Sequence, residues 1–381
     1  MDRRRFVAGV AAAGGAACAA AGVGRPGPPA VASGRVNFTR DGLDLSPVEQ
    51  AALLGELAAA SDFAVDSYSR GGVVEQLERK FARELGKEAA VFVPTGTMAN
   101  HMALRRLCKR GNGRRVAVQA ESHVFRDAGD GAQELSGLHL LPLGEERPGF
   151  PAADLRRALD RTAAGRVRTK IAAVAIETPV RRCHDRRFSP GDLDEVIALA
   201  RDRGLGLHLD GARLHIEAAF GGRSVREAAA PFDTVYVSLY KAFHAPSGAI
   251  LAGPADLLEG LYHERRMFGG GMPQVWPFAA IALSFLDGTV ERLRRAITRA
   301  DEVFARLAGR GVRVERFPDG TNVALLHAGS DAAPMRERAL RAGVVLPVPD
   351  ASGTFAIKIN ESLLRKDADA IAAGLLEGGV R

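Results

Sequence analysis

Two side chains with chemistry of their own, Asp210 and Lys241, each follow a short apolar segment typical of a buried strand. Asp210 stands in the segment HLDGAR at residues 208–213, and Lys241 follows the apolar residues 233–237. A lysine amine forms a Schiff base with an aldehyde, and a carboxylate keeps a pyridine nitrogen protonated so that the ring accepts electrons. Pyridoxal 5'-phosphate (PLP) needs both groups. Without further signals, a turn aspartate and a solvated lysine explain the pair equally well.

A turn of small residues, PTGTMAN at 94–100, follows another apolar segment and opens an amphipathic helix. Gly96 lets the backbone approach a ligand closely, and the first turn of a helix offers free N–H groups and a positive dipole end to a phosphate. Thr95 or Thr97 is also compatible with a simple N-cap, the commoner role of a threonine at such a place. Alone, this turn is a weak phosphate signal. Followed in order by the aspartate and the lysine, it becomes a strong one.

His123, in the segment ESH at residues 121–123, lies just beyond a further predicted strand at residues 115–119. An imidazole at a strand end can lie flat on a pyridine ring and offer a nitrogen for proton transfer. A histidine at such a place is otherwise an ordinary surface residue. Because the phosphate turn, the aspartate and the lysine accompany it, we expect His123 to stack on the cofactor.

From about residue 37 to residue 381, the chain resembles the L-threonine aldolases and the wider β-eliminating lyase family of fold-type-I PLP enzymes. The most specific pieces of the resemblance are residues 86–100, residues 208–213, the lysine segment at 238–243 and RRMFGGGM at 265–272. Four such blocks in one order rarely arise by chance. The resemblance implies an aspartate aminotransferase-like fold, PLP as the cofactor and a small amino acid as the substrate.

The resemblance also implies a role for individual residues of this chain. According to the resemblance, Lys241 forms the internal aldimine, Asp210 pairs with the pyridine nitrogen and His123 stacks on the ring. Gly96 and Thr97 hold the phosphate, and Ser238 helps to bind the cofactor. Arg213 lies by the cofactor and reaches the substrate carboxylate, and Arg265 or Arg266 approaches the phosphate of a neighbouring subunit. It further implies a homodimer or homotetramer with shared active sites.

The substrate-binding positions depart from the family's pattern. The family's Arg-Ser-Asp-Thr near the start, whose serine helps to bind the substrate carboxylate, reads TRDG at residues 39–42. A second carboxylate-binding arginine is expected in a late strand, and Lys358 is the cation found there. We therefore expect Arg40 and Lys358 to replace the family's serine and arginine beside Arg213.

Three further segments differ from the family. Its Glu-Asn-Thr-His-Asn reads ETPVRR at residues 177–182, and the Gly-Glu-Asp-Pro of its early loop reads SRGG at residues 69–72. We expect Arg70 in that loop to add a positive group from a partner subunit, which would favour a substrate with a second acidic function. The histidine that contacts the substrate β-hydroxyl in aldolases has no counterpart at residues 165–170. The substrate site is thus altered, whereas the cofactor site is complete.

The function implied by the resemblance is that of a PLP-dependent carbon–carbon lyase, which cleaves a β-hydroxy-α-amino acid to glycine and an aldehyde. His123, or a water that it orients, is the candidate base for the β-hydroxyl proton. β-Elimination or transamination stays open, because the aligned bond decides which reaction the same cofactor supports. A secreted PLP-binding protein with little catalysis is the other alternative.

The first residues read MDRRRFV and continue into an alanine- and glycine-rich apolar stretch at residues 8–23. This stretch is too short and too weakly hydrophobic for a transmembrane helix, and the arginines before it are typical of a twin-arginine export signal. The small residues at 30–32 offer a cleavage site after Ala32. We therefore expect export of a folded chain that already carries PLP. A lipoprotein site at Cys18 and a plain alanine-rich tail are the alternatives.

The composition excludes some partners. The formal net charge is +7, but part of the excess lies in the arginines of the predicted signal and the rest is scattered. No basic helix or aromatic-interleaved patch indicates a nucleic-acid partner. The three cysteines are Cys18, Cys108 and Cys183, and no cysteine or histidine spacing resembles a metal site. A structural disulfide is not predicted.

The central region alternates short, nearly continuous apolar segments with helical patterns. The apolar segments are centred near Val91, Val116, Leu138, Ile171, Leu207, Val235 and Ile250. This alternation predicts an α/β fold, with a mostly parallel seven-stranded sheet covered by helices and ligands at the strand ends. The predicted division is a signal peptide and linker at 1–34, an N-terminal arm with helices at 35–86, a PLP-binding large domain at 87–275, and a smaller α+β domain with a connecting helix at 276–381.

Overall fold

The computed structural model describes residues 34–60, 62–167, 169–221 and 223–376. Residues 1–33 of the predicted export segment, with Cys18, lie outside the described residues. Within them, the strands are β1 (Val36–Asn37), β2 (Ala89–Val93), β3 (Arg115–Gln119), β4 (His139–Leu143), β5 (Ile171–Glu177), β6 (Gly206–Asp210), β7 (Thr234–Ser238), β8 (Ala249–Gly253), β9 (Arg313–Arg316), β10 (Val323–His327), β11 (Val344–Val345) and β12 (Thr354–Lys358). The α-helices are α1 (Pro47–Ala60), α2 (Gly72–Leu85), α3 (Gly96–Arg110), α4 (His123–Arg126), α5 (Gly131–Ser136), α6 (Ala152–Ala163), α7 (Pro190–Asp202), α8 (Leu214–Ala219), α9 (Val225–Ala229), α10 (Ala255–Leu258), α11 (Leu261–Met267), α12 (Trp276–Leu286), α13 (Thr289–Ala308), α14 (Ala332–Arg341) and α15 (Ala368–Leu376).

In the described part of the chain, β2 to β8 form one seven-stranded sheet with the order β2-β8-β7-β6-β5-β3-β4. Neighbouring strands are parallel except at β8, which runs antiparallel to both β2 and β7. The carboxyl ends of the other six strands therefore lie at one edge of the sheet. This topology confirms the predicted fold class.

The middle of the sheet is buried on both faces. Every residue of β5 and of β8 is buried, and both strands consist mainly of alanine, isoleucine, valine and leucine. A strand that is apolar on both faces must be covered on both sides, which is what crossover helices between parallel strands do.

The helix α2 shows how a flanking helix is held. Its side chains Val73, Val74, Leu77, Phe81 and Leu85 recur every three or four residues and are fully buried. Burying each such side chain stabilises the fold by about 1.5–3 kcal/mol relative to leaving it exposed. The helix packs on α12 and β2, and it thus fixes the strand that leads into the small-residue turn at 94–100.

The smaller C-terminal unit has an antiparallel sheet with the order β12-β10-β9. The first strand of the chain, β1, joins this unit by pairing in parallel with β11, and Val36 and Phe38 are fully buried in its core. The backbone N–H of Lys358 donates to the carbonyl oxygen of Phe38 at 2.7 Å. The segment that follows β1 is therefore held beside β12, whereas α1 packs on α12.

The connecting helix predicted at the start of the 276–381 domain is two helices, α12 and α13. The chain turns between them at Gly288, whose φ of +70° is a left-handed value that glycine adopts without a steric cost. The turn lets α13 place Ala300, Val303 and Leu307 in the core of the C-terminal unit. Across the described ranges, no helix is both long enough and apolar enough to span a bilayer.

Candidate active site

Two adjoining cavities lie at the carboxyl edge of the large sheet. The first, of about 440 Å³, is lined by Asp41, Thr95, Gly96, Thr97, His123, Asp127, Glu177, Arg181, Asp210, Ala212, Arg213, Tyr236, Tyr240 and Lys241. The second, of about 610 Å³, shares several of these residues and reaches to Lys358. The structure thus brings most of the residues predicted to bind the cofactor around one space.

Asp210, at the end of β6, is buried and held by two donors. Asn100 Nδ2 donates to Asp210 Oδ2 at 2.6 Å, and the Ala212 N–H donates to Asp210 Oδ1 at 3.2 Å. Asn100 Oδ1 lies 2.8 Å from His208 Nε2, and His208 Nδ1 lies 2.8 Å from Thr234 Oγ1. Burial lowers the pKa of His208 to about 4, so the ring is neutral at pH 7. Because an amide oxygen only accepts, His208 donates from Nε2.

Lys241 follows β7 and is only 7% exposed. Its Nζ donates to Tyr240 Oη at 3.0 Å and lies 4.3 Å from the centre of the Tyr240 ring. Lys241 and Tyr240 line both cavities. The amine therefore stands where the two cavities meet.

The helix α3 begins at Gly96 with Thr95 as its N-cap, because Thr95 Oγ1 accepts from the Met98 N–H at 3.2 Å. Thr97 has a different contact, since its Oγ1 lies 3.2 Å from His123 Nε2. Of the two threonines, Thr95 is thus the cap, and Thr97 connects the start of α3 to the imidazole.

The start of α3 leaves no room for a side chain at position 96. A Cβ at position 96 would lie 1.8 Å from Tyr236 Oη, so that Gly96 is required where the backbone passes the Tyr236 hydroxyl. Ser238, which the resemblance implies helps to bind the cofactor, lies on the same strand as Tyr236. Its hydroxyl is buried near that of Tyr236, and Ser238 is not among the residues that line the two cavities.

His123 is positioned by Glu177, at the end of β5. Glu177 Oε2 accepts from the His123 N–H at 2.6 Å, and Glu177 Oε1 accepts from the Arg181 N–H at 3.0 Å. Burial and the nearby charge of Asp210 raise the pKa of Glu177 to about 8. His123 Nδ1 lies 3.9 Å from Asp127 Oδ2. The site therefore has a partly exposed imidazole beside a buried carboxyl group that keeps its proton near neutral pH.

Arg213 and Lys358 belong to a buried cluster with two carboxylates. Arg213 Nη2 donates to Asp41 Oδ2 at 2.9 Å, and Arg213 Nε lies 3.4 Å from Asp185 Oδ1. Lys358 Nζ lies 2.6 Å from Asp41 Oδ1 and 2.9 Å from Asp185 Oδ2. Burial would raise the pKa of Asp41, but the two cations outweigh it and hold this pKa well below its usual range. Both cations, which the sequence predicts to bind a substrate carboxylate, already have carboxylate partners within the chain.

Arg40 and Arg70 have neighbours of their own. The side chain of Arg40 lines the second cavity but is 68% exposed, and its Nε lies 3.6 Å from Asp44 Oδ1. The Arg70 guanidinium lies 4.8 Å from the centre of the Tyr262 ring. Within the described residues, Arg70 does not line either cavity, so the structure of one subunit does not bring it to the substrate site.

The two arginines at the end of α11 differ in exposure. Arg265 is fully buried, and its guanidinium donates to the carbonyl oxygens of Phe92 and Tyr68. Arg266 is exposed, and its guanidinium lies 5.1 Å from the centre of the Tyr68 ring. Arg265 is therefore engaged inside its own chain, whereas the Arg266 guanidinium lies at the surface.

The sequence analysis assigned no role to three residues of the site, which are Asn100, Glu177 and Asp185. Asn100 lies within the small-residue turn, and Glu177 opens the altered segment at 177–182, so a search for polar groups near strand ends would have identified both. Asp185 has no such signal. Its place in the site depends on contacts with Arg213 and Lys358, which are distant in sequence.

A sequence model of the β-eliminating lyases matches residues 53–328, more than half of the chain. The chain belongs to the β-eliminating lyase family. Low-specificity L-threonine aldolase from Escherichia coli K12 is 30% identical to it over 286 residues, which are 73% of this chain and 81% of that enzyme. The predicted family is therefore confirmed, and the protein is a PLP-dependent lyase.

Solved structures share the fold of this β-eliminating lyase. A candidate L-allo-threonine aldolase from Listeria monocytogenes matches with a TM-score of 0.73 and 26% identity, over 90% of this chain and 96% of that one. Aspartate aminotransferase from Thermus thermophilus matches with a TM-score of 0.54 and 19% identity, over 90% and 92% of the two chains. The second likeness concerns the fold alone, and it confirms the predicted aspartate aminotransferase-like architecture.

The residues of this lyase suit PLP, the cofactor of the site. Lys241 would hold the cofactor covalently, and Asp210 would face the pyridine nitrogen. The first N–H groups of α3, which begins at Gly96, would hold the phosphate. Together these residues supply a group for each end of the cofactor.

Proposed function

We propose that this lyase cleaves the Cα–Cβ bond of β-hydroxy-α-amino acids and releases glycine and an aldehyde. The proposal rests on the arrangement of Lys241, Asp210 and His123 around one cavity, in a chain similar to a threonine aldolase over most of its length. The cavity lining supplies an amine, a buried carboxylate and an imidazole. These are the groups that a retro-aldol cleavage assisted by PLP requires.

Each residue has a separate task in this reaction. When bound, PLP supplies a sink for the electron pair that is released as the Cα–Cβ bond breaks. Lys241 would hold the cofactor through its amine. Asp210, which Asn100 fixes in place, would keep a proton on the pyridine nitrogen. His123 accepts the proton of the β-hydroxyl, and its backbone N–H bond to Glu177 fixes the position of the imidazole.

Product analysis tests the reaction. The PLP-loaded protein is incubated with L-threonine, L-allo-threonine and phenylserine, and glycine, aldehyde, ammonia and keto acid are measured in parallel. We expect glycine and aldehyde in equal amounts, and neither product from the Lys241→Ala variant. Ammonia and keto acid without aldehyde would show β-elimination instead and would contradict the proposal.

We also propose that the protein acts as a homo-oligomer in which Arg266 approaches the cofactor site of a neighbouring subunit. The resemblance at residues 265–272 supports this assembly, as does the exposure of Tyr68 and Met267, which are 44% and 68% exposed beside Arg266. Light scattering measures the mass of the assembly, and a monomer at micromolar concentration would contradict the proposal.

A complementation experiment tests the shared site directly. Lys241→Ala and Arg266→Ala are each expected to have little activity alone. A mixed oligomer would contain some sites with an intact Lys241 from one subunit and an intact Arg266 from the other. We expect activity to return when the two variants are unfolded together and refolded. If it does not return, Arg266 does not act across the interface.

We further propose that the protein is exported through the twin-arginine route. The support is the run of arginines at residues 3–5 followed by a weakly apolar stretch and a small-residue cleavage site. A folded chain can carry its cofactor through this route, whereas an unfolded chain threaded through a channel cannot.

A further inference from the structure

The arginine and lysine side chains of the two cavities are already balanced by carboxylates. Apart from Lys241, each one that lines a cavity has a carboxylate within ion-pair distance among the described residues. The pairs are Arg40 with Asp44, Arg181 with Asp127, and both Arg213 and Lys358 with Asp41 and Asp185. Apart from Lys241, a further carboxylate that enters here therefore meets no uncompensated arginine or lysine. It instead adds a negative charge beside Asp41 and Asp185, whose side chains are only 11% and 1% exposed.

Asp185 is the member of this cluster that matters most. Its Oδ2 lies 2.9 Å from Lys358 Nζ and its Oδ1 lies 3.4 Å from Arg213 Nε. These two cations are the ones that the family resemblance assigns to the substrate carboxylate. One carboxylate of the chain thus spans the positions that a substrate carboxylate would use.

The backbone holds Asp185 in this place. His184 and Asp185 have φ values of +57° and +51°, which are uncommon for residues other than glycine. Thr321 Oγ1 donates to the Asp185 carbonyl oxygen at 2.6 Å. The side chain of Asp185 is 1% exposed. Two consecutive left-handed residues persist only where the surrounding structure maintains them, which is typical of functional sites.

One oxygen of Asp185 lacks a hydrogen bond. Asp185 Oδ1 is buried and accepts none from the described residues, although Arg213 Nε is within ion-pair distance. A buried acceptor of this kind needs a donor. A carboxylate cannot provide one, because it only accepts. A carboxamide offers N–H donors as well as a carbonyl oxygen, and it carries no charge.

We propose that Asp185 makes this site select substrates whose carboxyl group is a neutral carboxamide instead of a carboxylate. The inference rests on the proposed retro-aldol cleavage and names the substrate that the site prefers: a β-hydroxy-α-amino amide would release glycinamide and an aldehyde, where a free amino acid releases glycine and an aldehyde. The chemistry to be recognised is a primary α-amine next to a carboxamide. An amino-acid amide and the first residue of a peptide both offer it.

Ligand binding tests the proposal without any bond cleavage. Glycine, glycinamide and glycylglycinamide are titrated into the PLP-loaded protein, and the change in visible absorbance of the cofactor gives each Kd. We expect the wild type to bind glycinamide at least about tenfold more tightly than glycine. Tight binding of glycylglycinamide as well would indicate that peptide amino termini fit, whereas binding of glycinamide alone would indicate small amides.

The decisive comparison uses Asp185→Gly, because glycine adopts the φ of residue 185 without strain. Asp185→Asn is the second variant, since asparagine also tolerates a left-handed conformation and loses only the charge. Both variants should bind glycine at least about tenfold more tightly than the wild type does. The ratio of the Kd for glycine to the Kd for glycinamide should fall by the same factor. This ratio cancels any intrinsic difference between the two ligands.

Asp130→Gly is the matched control. Asp130 has a φ of +53°, close to that of Asp185, but its exposed carboxylate accepts from Gln133 Nε2 and is not among the residues that line the two cavities. This variant should keep the wild-type preference. If the wild type binds glycine as tightly as glycinamide, or if both Asp185 variants leave the ratio unchanged, the proposal is wrong.

Cleavage assays separate this inference from the proposed function. L-Threonine and L-threoninamide are compared for aldehyde release. If the amide is bound but neither compound yields an aldehyde, the retro-aldol function fails while the selectivity stands. If both are cleaved and the carboxylate is preferred in the wild type and in both variants, the function stands and the selectivity fails.

Discussion

Asn100 donates from Nδ2 to Asp210 Oδ2 at 2.6 Å, and this bond orients the carboxylate that would face the cofactor ring. His208 orients the side-chain amide of Asn100 in turn, because its neutral ring donates to Asn100 Oδ1 at 2.8 Å. Both residues are buried, being 1% exposed. Asn100 thus fixes the Asp210 carboxylate in place, and His208 acts through Asn100 as a positioning residue.

Removal of this bond should slow the reaction without releasing the cofactor. A hydrogen bond to a charged group is worth about 1.5–3 kcal/mol, so Asn100→Ala should reduce kcat by roughly tenfold to a hundredfold. Steady-state kinetics gives kcat, and cofactor absorbance reports PLP occupancy. His208→Gln keeps an N–H donor toward Asn100, whereas His208→Leu removes it, so only the leucine variant should share the loss. Equal activity of these two variants would exclude the positioning role.

Asp210→Asn should leave PLP bound and the fold intact while it strongly lowers the rate. A neutral side chain no longer keeps the pyridine nitrogen protonated, so the ring becomes a poorer electron sink. We expect a loss in kcat of about a hundredfold or more, typical of the removal of one key electrostatic group. Thermal unfolding is measured alongside. A lower melting temperature with an unchanged kcat would indicate that Asp210 is only structural.

Lys241 should be the residue that bears the cofactor. Borohydride reduction of the wild type should attach PLP permanently to one peptide, which mass spectrometry identifies, and Lys241→Ala should lose both this label and the visible absorbance. Lys358 is the informative alternative, because it lines the adjoining cavity. A label on Lys358 would refute the assignment.

Glu177 should make the stability of the protein depend on pH. Burial and the charge of Asp210 raise its pKa from the ordinary 4.5 to about 8. Between these values the native state binds the extra proton, so this part of the stability is present below pH 4.5 and is lost as the pH rises through about 8. In the Glu177→Gln variant, the free energy of unfolding should decrease less with rising pH than in the wild type, by an amount on the order of a few kcal/mol. Urea unfolding at a series of pH values from 5 to 9 measures this free energy.

Glu134→Gln serves as the control for this prediction, because it makes the same chemical change at an exposed carboxylate. Its unfolding curve should follow the wild type at each pH. A Glu177→Gln variant that declines as steeply as the wild type would show that the pH dependence has another origin.

Residues 1–34 should direct export of a folded reporter. The twin-arginine route recognises the arginine pair, so replacement of the arginines at positions 3–5 by lysine should keep the reporter in the cytoplasm. Fractionation of cells that express the two fusions measures the difference. Undiminished export of the lysine version would refute the route, and cytoplasmic retention of the unaltered fusion would refute the signal itself.

The order of elements and the cofactor residues were open to prediction because their signals are local. The burial of Leu77 and Phe81 follows from a spacing that any short window of sequence displays. Asp210 and Lys241 each stand just beyond an apolar strand, and parallel strands place their carboxyl ends together. Local patterns do not decide between similar neighbours, and only the hydrogen bond to Met98 shows that Thr95 caps α3.

The substrate-facing charges, in contrast, were decided by the tertiary structure. The sequence shows Arg213 and Lys358 as cations in suitable places, but it does not show what lies opposite them. Asp41 reaches Lys358 because β1 pairs with β11 and Phe38 accepts from the Lys358 backbone. Asp185 joins them through a left-handed turn that no sequence motif marks. Coulomb interactions depend on distances across the fold, and residues far apart in the chain come that close only once the sheets have formed.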